Sequence, residues 1–105
     1  GDIGVRKMLS EKMDLSGKKA EGVVFEFGPV NMVFAKTSSG MIGCGLFNAM
    51  MFDKFSFPAA VIKSVSGPIK DLQGLLDGTV KEANESASKK GVMVGMSARQ
   101  ALEMM

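Results

Sequence analysis

Residues 23–45 read VVFEFGPVNMVFAKTSSGMIGCG, and this stretch decides the fold. It starts with an alternating run at residues 23–27, the pattern of a half-buried strand. A Gly-Pro pair ends that run with a turn, and residues 30–36 form a second segment rich in β-branched and aromatic side chains. A polar loop then leads into a third apolar run at residues 41–45. The stretch therefore predicts three strands in an antiparallel meander.

The segment that follows the meander is apolar nearly all round. Residues 46–55 predict a helix that is buried on most sides, and a small chain has little room for such a helix. We therefore expect Phe47, Met51 and Phe55 to face another copy of the chain. Residues 59–65 form a continuous apolar run, which is typical of a central strand. A strand–helix–strand unit of this size predicts a right-handed crossover and parallel pairing.

The last third of the chain carries helical signals. A Gly-Pro pair precedes a periodic segment at residues 69–76, and residues 81–90 predict a second helix that stops at Gly91. Ser97 and Gln100 form a capping box that begins a final helix. The fold class that follows is α/β or α+β, a single small domain. Its N-terminal antiparallel β-meander continues into a mixed sheet with three to four helices.

The first residues are the least committed part of the chain. Residues 1–16 carry apolar side chains at helical spacing in a polar background, and a docking helix, an edge strand and a frayed tail all fit that pattern. We divide the chain into an N-terminal extension at residues 1–16, weakly ordered or used for oligomer docking, and a domain at residues 17–105.

Composition excludes several kinds of chemistry. The 105 residues include no His, so a Ser-His-Asp triad, a Cys-His dyad and a His-ligated metal are impossible within one chain. The lone Cys44 excludes an intrachain disulfide and any CxxC motif. The ten Met favour core packing over a soft-metal site. We therefore expect no cofactor and no metal, and enzymatic activity stays uncertain, with the balance against it.

The charge and hydropathy of the sequence bear on which classes of partner to expect. Thirteen basic and eleven acidic side chains give a net charge of +2 without a basic stripe, so we expect no nucleic-acid partner. The longest apolar stretch is residues 41–52, shorter than the roughly 17–25 residues of a transmembrane helix, so we expect no membrane partner. No basic and apolar leader opens the sequence, which makes a cytoplasmic location the expectation.

The sole thiol lies between two glycines, before the predicted helix. Free N–H groups at a helix start stabilise a thiolate, and Gly43 and Gly45 allow close approach of a ligand. Asn48 offers a donor and an acceptor nearby. One interpretation is therefore a reactive or ligand-contacting Cys44, and the other is a buried small hydrophobic residue between glycines that relieve packing.

Three segments together resemble a known family. GMIGCGLFN at residues 40–48 resembles the motif G-x-x-x-C-G-x-[LF]-[DN] of the YunC-like domain family, a prokaryotic family of unknown function. LLDGTV at residues 75–80 is similar to its L-L-[ND]-A-x-[LV]. GVMVGMSARQAL at residues 91–102 resembles its G-[IV]-x-[VP]-G-M-[ST]-G-x-[EQ]-A-L, with Ala98 where the family usually has Gly. The similarity runs from about Gly17 to the C-terminus.

The resemblance implies an α/β or α+β domain that forms homo-oligomers, with tetramers joined through N-terminal β-structure. It implies no activity, because none is established for the family. Its two glycine-containing turns, brought together, would suit a small anionic ligand. The candidate ligand-binding residues are Gly43, Gly45, Asn48, Gly95, Met96 and Ser97.

Two hypotheses about function follow. The first is a homo-oligomeric assembly or small-ligand-binding protein with no assignable activity, whose partner is a second copy of itself. The alternative is a thiol-dependent enzyme or small-molecule sensor in which Cys44 is the catalytic residue.

Overall fold

The computed structural model describes residues 7–45 and 49–105, except for the side chain of Met51. The described chain forms a six-stranded sheet in which the spatial order of the strands follows the chain order. The strands are β1 (Lys7–Leu15), β2 (Lys18–Glu26), β3 (Asn31–Thr37), β4 (Gly40–Gly43), β5 (Ala59–Lys63) and β6 (Thr79–Ala83). The predicted antiparallel meander is confirmed, and it extends over β1 to β4.

The sheet is mixed because one pair of strands is parallel. Met41 lies opposite Ala59, and Gly43 lies opposite Val61, in the β4–β5 pair. A 3₁₀ helix (Ala49–Phe55) lies in the connection between these strands, within the segment for which the sequence predicts a helix. Strand β6 then pairs with β5 in antiparallel fashion. The parallel pairing predicted for the apolar run at residues 59–65 is therefore confirmed.

Three short α-helices complete the described fold, which is α+β. They are α1 (Leu72–Leu76), α2 (Glu85–Lys89) and α3 (Ala98–Met104). Each begins after a side chain that accepts a hydrogen bond from the first turn, which satisfies one of the free N–H groups at a helix start. The capping residues are Asp71, Asn84 and Ser97.

The main core lies on one face of the sheet. The alternation of the strands places Val24, Val33 and Ile42 on that face, where α1 and α3 cover them. The 3₁₀ helix covers part of the opposite face through a small cluster of Ala49, Ala59 and Val61. The sheet therefore has helical structure on both faces.

The helix predicted over residues 81–90 is wrong in its first half. Lys81, Glu82 and Ala83 belong to β6, and only Glu85–Lys89 is helical. Lysine, glutamate and alanine favour helices, but pairing with β5 outweighs that intrinsic preference here. The helix starts after Asn84, whose side chain accepts a hydrogen bond from Ala87 N–H at 2.9 Å.

Asn84 joins three elements from a fully buried position. Its Oδ1 accepts hydrogen bonds from the N–H groups of Ala59 and Ala87, at 3.0 and 2.9 Å. Its Nδ2 donates to the carbonyl oxygens of Ala49 and Phe57, at 3.0 and 2.8 Å. One side chain thus connects the 3₁₀ helix, the start of β5 and the start of α2.

The N-terminal segment lies at one edge of the sheet as far as it is described. Residues 7–15 pair with β2 along their whole length, from Lys7 opposite Glu26 to Leu15 opposite Lys18. Among the alternatives for this segment, the described part is an edge strand. The division into an extension and a domain remains a prediction.

Candidate ligand site at the strand ends

A cavity lies where three strands end. Strands β2, β4 and β5 run in the same direction, so their carboxyl ends meet at one edge of the sheet. The β2–β3 turn, Cys44 with Gly45, and the loop after β5 enclose a volume of about 580 Å³ there. In sheets with parallel strands, ligands bind in the crevice outside the carboxyl ends. The cavity is thus the candidate site that the topology favours.

Cys44 forms part of the cavity wall. Its backbone N–H donates to the Val33 carbonyl oxygen at 2.9 Å, and its Sγ accepts from the Val33 N–H at 3.4 Å. The residue is only 5% exposed. These contacts hold the thiol against β3, whereas Gly45 is exposed and lies beside it at the cavity. Gly43, the last residue of β4, is buried in the sheet.

The described charged residues that line the cavity are all positively charged. Lys63, Lys70 and Lys81 line it, and among the residues that the structure describes no Asp or Glu does so. Within residues 7–45 and 49–105, none of these three lysines has a carboxylate within ion-pair distance. The concentration of unneutralised positive charge would attract an anion.

Lys81 reaches this position through a β-bulge. Val80 lies opposite Ile62, and Glu82 lies opposite Val61, so Lys81 is the extra residue in the β5–β6 ladder. A bulge interrupts strict alternation and redirects side chains, and bulges are over-represented beside functional sites. The irregularity of β6 thus places a third cation at the cavity.

Hydrogen bonds hold the loop that closes the cavity. Asn31 Nδ2 donates to the Lys70 carbonyl oxygen at 2.9 Å and ties the β2–β3 side to the loop. Ser64 Oγ donates to the Ser66 carbonyl oxygen at 2.8 Å and accepts from the Ser66 N–H at 3.0 Å. Asn31 Nδ2 and Ser64 Oγ, on the uncharged polar side chains of the lining, therefore already hydrogen-bond to the protein backbone.

The second glycine-containing turn lies elsewhere. Gly95 N–H donates to the Val80 carbonyl oxygen, and Val80 N–H donates to the Met96 carbonyl oxygen, both at 2.8 Å. Ser97 accepts a hydrogen bond from Gln100 N–H at 3.1 Å and caps α3, as the sequence predicts. These contacts put the turn beside β6, and β5 and β6 separate it from Cys44. Gly95, Met96 and Ser97 do not line the cavity.

The remaining predicted site residues have different outcomes. Phe47 and Asn48 lie outside the described residues, as does the side chain of Met51. Phe55 is 79% exposed at the end of the 3₁₀ helix. The role of these residues in an oligomer interface stays a prediction.

Asp53 has a structural task away from the cavity. Its carboxylate accepts hydrogen bonds from the N–H groups of Glu85 and Ser86 and from Ser86 Oγ, at 3.0 to 3.1 Å. The hydrogen bond from Glu85 N–H is the main reason that the pKa of Asp53 lies below its ordinary value. Asp53 thus fastens the 3₁₀ helix to the start of α2.

Sequence reasoning missed the three cavity lysines. They stand singly along the chain, so no basic cluster marks them. The available signal was the parallel pair, since the residues just after β4 and β5 were predictable as neighbours.

Within the described chain, no group of three or more Cys, Asp or Glu side chains is arranged to hold a metal ion. No helix in those ranges is long and apolar enough to cross a membrane.

Comparison with known proteins places the chain in a family. Residues 43–105 match the family described as "Domain of unknown function (DUF1805)", and the chain belongs to that family. The matched segment contains Cys44 and the three cavity lysines. The structure is similar to the crystal structure of a protein of unknown function, TA1206, from Thermoplasma acidophilum. The two proteins share 25% sequence identity with a TM-score of 0.80, and the alignment covers 92% of this chain and 91% of the other. No curated protein matches the sequence.

Proposed function

We propose that this protein binds a small anionic ligand in the cavity at the carboxyl ends of β4 and β5. The observation that carries the proposal is the lining, which in the described part of the chain contains three lysines and no carboxylate. The volume of about 580 Å³ lies within the roughly 300–1,000 Å³ of small-molecule sites. Binding, rather than turnover, suits a site without histidine.

Electrostatics give the proposal a measurable character. The three lysines are exposed, so each contributes a modest, salt-screened attraction, and their sum favours an anion. Affinity is therefore expected to fall as ionic strength rises. Lysine ammonium groups act as point charges without a fixed fork of donors, so phosphate and carboxylate are both acceptable head groups.

Backbone amide NMR spectra recorded during titration with acetate and with phosphate test this proposal. We expect chemical-shift changes at Gly45 and Gly67, which line the cavity. Lys81→Gln is expected to weaken binding several-fold. The control Lys90→Gln, at another exposed lysine outside the lining, leaves binding unchanged. Equal effects of the two substitutions, or shifts spread over the whole surface, would contradict the proposal.

Self-association is a second proposal, favoured by the exposed apolar side chains of the 3₁₀ helix. Phe55 is 79% exposed and Met50 45% exposed. Both side chains belong to one short helix, and exposed apolar side chains that form a shared patch, unlike scattered ones, mark an interaction site. We propose a homo-oligomer that uses Phe55, and the resemblance to the YunC-like family favours a tetramer. Sedimentation velocity should show Phe55→Ser shifting the protein toward monomer, while Val65→Ser, at a position 78% exposed, does not. A monomeric wild-type protein at micromolar concentration refutes it.

We also propose that the protein is a YunC-like protein of the cytoplasm. The order and spacing of its three motifs support the YunC-like assignment, and its single unpaired cysteine is compatible with a reducing compartment.

In the thiol-dependent alternative, Cys44 would need access to its substrate. Iodoacetamide tests this alternative: a Cys44 that reacts no faster in the native than in the denatured protein excludes it.

A further inference from the structure

We infer that the ligand of the cavity is an amphipathic acid, a single anionic head group on an apolar body. This inference rests on the proposed anion-binding function and names the class of ligand. It follows from three observations. They concern the residue types of the lining, the exposure of those residues, and the hydrogen bonds that its uncharged polar side chains already make.

The lining is mostly hydrophobic. Besides the lysines it contains a set of apolar side chains contributed by the β2–β3 turn, β5 and the loop after β5. These are Pro29, Val30, Ile62, Pro68 and Ile69. Val30 is 50% exposed, so part of this surface is apolar and open to water. An apolar ligand body that covers it would gain free energy in proportion to the area removed from water.

The buried residues of the lining are uncharged, and its charged residues are all exposed. Ile62 and Cys44 are 2% and 5% exposed. Lys63, Lys70 and Lys81 are exposed, and so are the apolar residues Pro29, Val30 and Pro68. A ligand that matches this lining places its apolar body against the apolar residues and its charge beside the lysines, where the ammonium groups stay hydrated.

Apart from the lysines, the side chains of the lining offer a strongly polar ligand few free hydrogen-bonding atoms. Asn31 donates to the Lys70 carbonyl oxygen, and Ser64 both donates to and accepts from the backbone of Ser66. A sugar or a nucleotide carries many hydroxyl and amide groups, and burying them without partners is costly. A ligand with one polar end avoids that cost.

Isothermal titration calorimetry with butanoate, hexanoate and octanoate tests the inference on the full chain. The dissociation constant should fall roughly fourfold for each added methylene, because each buried methylene adds about 0.8 kcal/mol of transfer free energy. Octan-1-ol, the neutral analogue, should bind at least tenfold more weakly than octanoate. Lysine ammonium groups accept a carboxylate or a phosphate. Comparison of octyl phosphate with octanoate therefore shows which of the two head groups binds more tightly.

Variants separate the two parts of the binding. Lys81→Gln should weaken octanoate several-fold and leave octan-1-ol unchanged, and the control Lys90→Gln should change neither. If butanoate, octanoate and inorganic phosphate bind equally well and all depend on Lys81, anion binding stands and the amphipathic class is wrong. If no anion binds in a Lys81-dependent manner, both proposals fail.

Discussion

Replacing Asn84 with alanine removes a side chain that makes four hydrogen bonds from a fully buried position. The substitution leaves the N–H groups of Ala59 and Ala87 and the carbonyl oxygens of Ala49 and Phe57 without their partner. Each buried polar group that loses its partner costs about 1–3 kcal/mol, and a lost N-cap alone costs about 1 kcal/mol. Allowing for local relaxation, we expect a loss of about 3–5 kcal/mol in the free energy of unfolding.

Urea denaturation followed by circular dichroism measures this loss. Small domains have unfolding free energies of about 5–15 kcal/mol and urea slopes of about 1–3 kcal/mol/M, so the midpoint should move by about 2 M. The matched control is Asp71→Ala, which removes the N-cap of α1 and a single exposed hydrogen bond to Gly74 N–H. We expect it to cost about 1 kcal/mol. If Asn84→Ala costs no more than Asp71→Ala, the reasoning about buried partners is refuted.

Asn84→Asp refines the same test, because it retains the shape and the accepting oxygen. The second oxygen then faces the carbonyl oxygens of Ala49 and Phe57 in place of a donor. Burial and these carbonyl groups raise the pKa of the introduced carboxyl in the folded state. The destabilisation is therefore expected to be largest at neutral pH and to shrink as the pH falls toward about 4. A pH-independent difference between this variant and the wild-type protein would contradict the argument.

Two further predictions concern packing and pH. Gly78→Ala places a Cβ against the Lys63 carbonyl oxygen and the Ile62 side chain, so we expect a loss of at least about 2 kcal/mol by thermal or urea unfolding. Gly45→Ala, whose Cβ meets no described atom within 4 Å, should stay within about 0.5 kcal/mol of wild type, and equal costs would refute the contact argument. Asp53→Asn should lower stability at neutral pH and flatten its pH dependence below about 3.8. The depressed pKa of Asp53 stabilises the fold above the ordinary carboxyl value, and this contribution is lost as the pH falls toward the folded-state pKa. Unchanged acid unfolding in this variant would contradict the assignment.

The meander and the parallel crossover were predictable because their signals are local. The alternation at residues 23–27 follows directly from strand geometry, and the continuous apolar run at residues 59–65 is typical of a strand buried on both faces. The capping role of Ser97 was equally predictable, since its partner lies three residues away. Asn84 was not, because its partners at residues 49, 57 and 59 are distant in sequence.

The candidate site was predictable only in part. Cys44 and Gly45 were identified from the glycine-flanked thiol, and both line the cavity. Lys63, Lys70 and Lys81 were not identified, because their proximity depends on the β5–β6 register and on a bulge that the sequence does not mark. Residues 81–83 were predicted as helix from the helical spacing of Ala83 and Ala87, and that error concealed the third lysine.

The agreement between strand order and chain order has a consequence for folding kinetics. Strands β1 to β4 pair through short hairpin connections, which close quickly, whereas β5 must wait for a longer crossover before it meets β4. We expect pulse-labelling hydrogen exchange to show protection of β2 and β3 amides before that of β5 and β6. Simultaneous protection of all strands would contradict this order. If the strands form in this order, the cavity at the ends of β4 and β5 forms last. A ligand would then slow unfolding without accelerating folding.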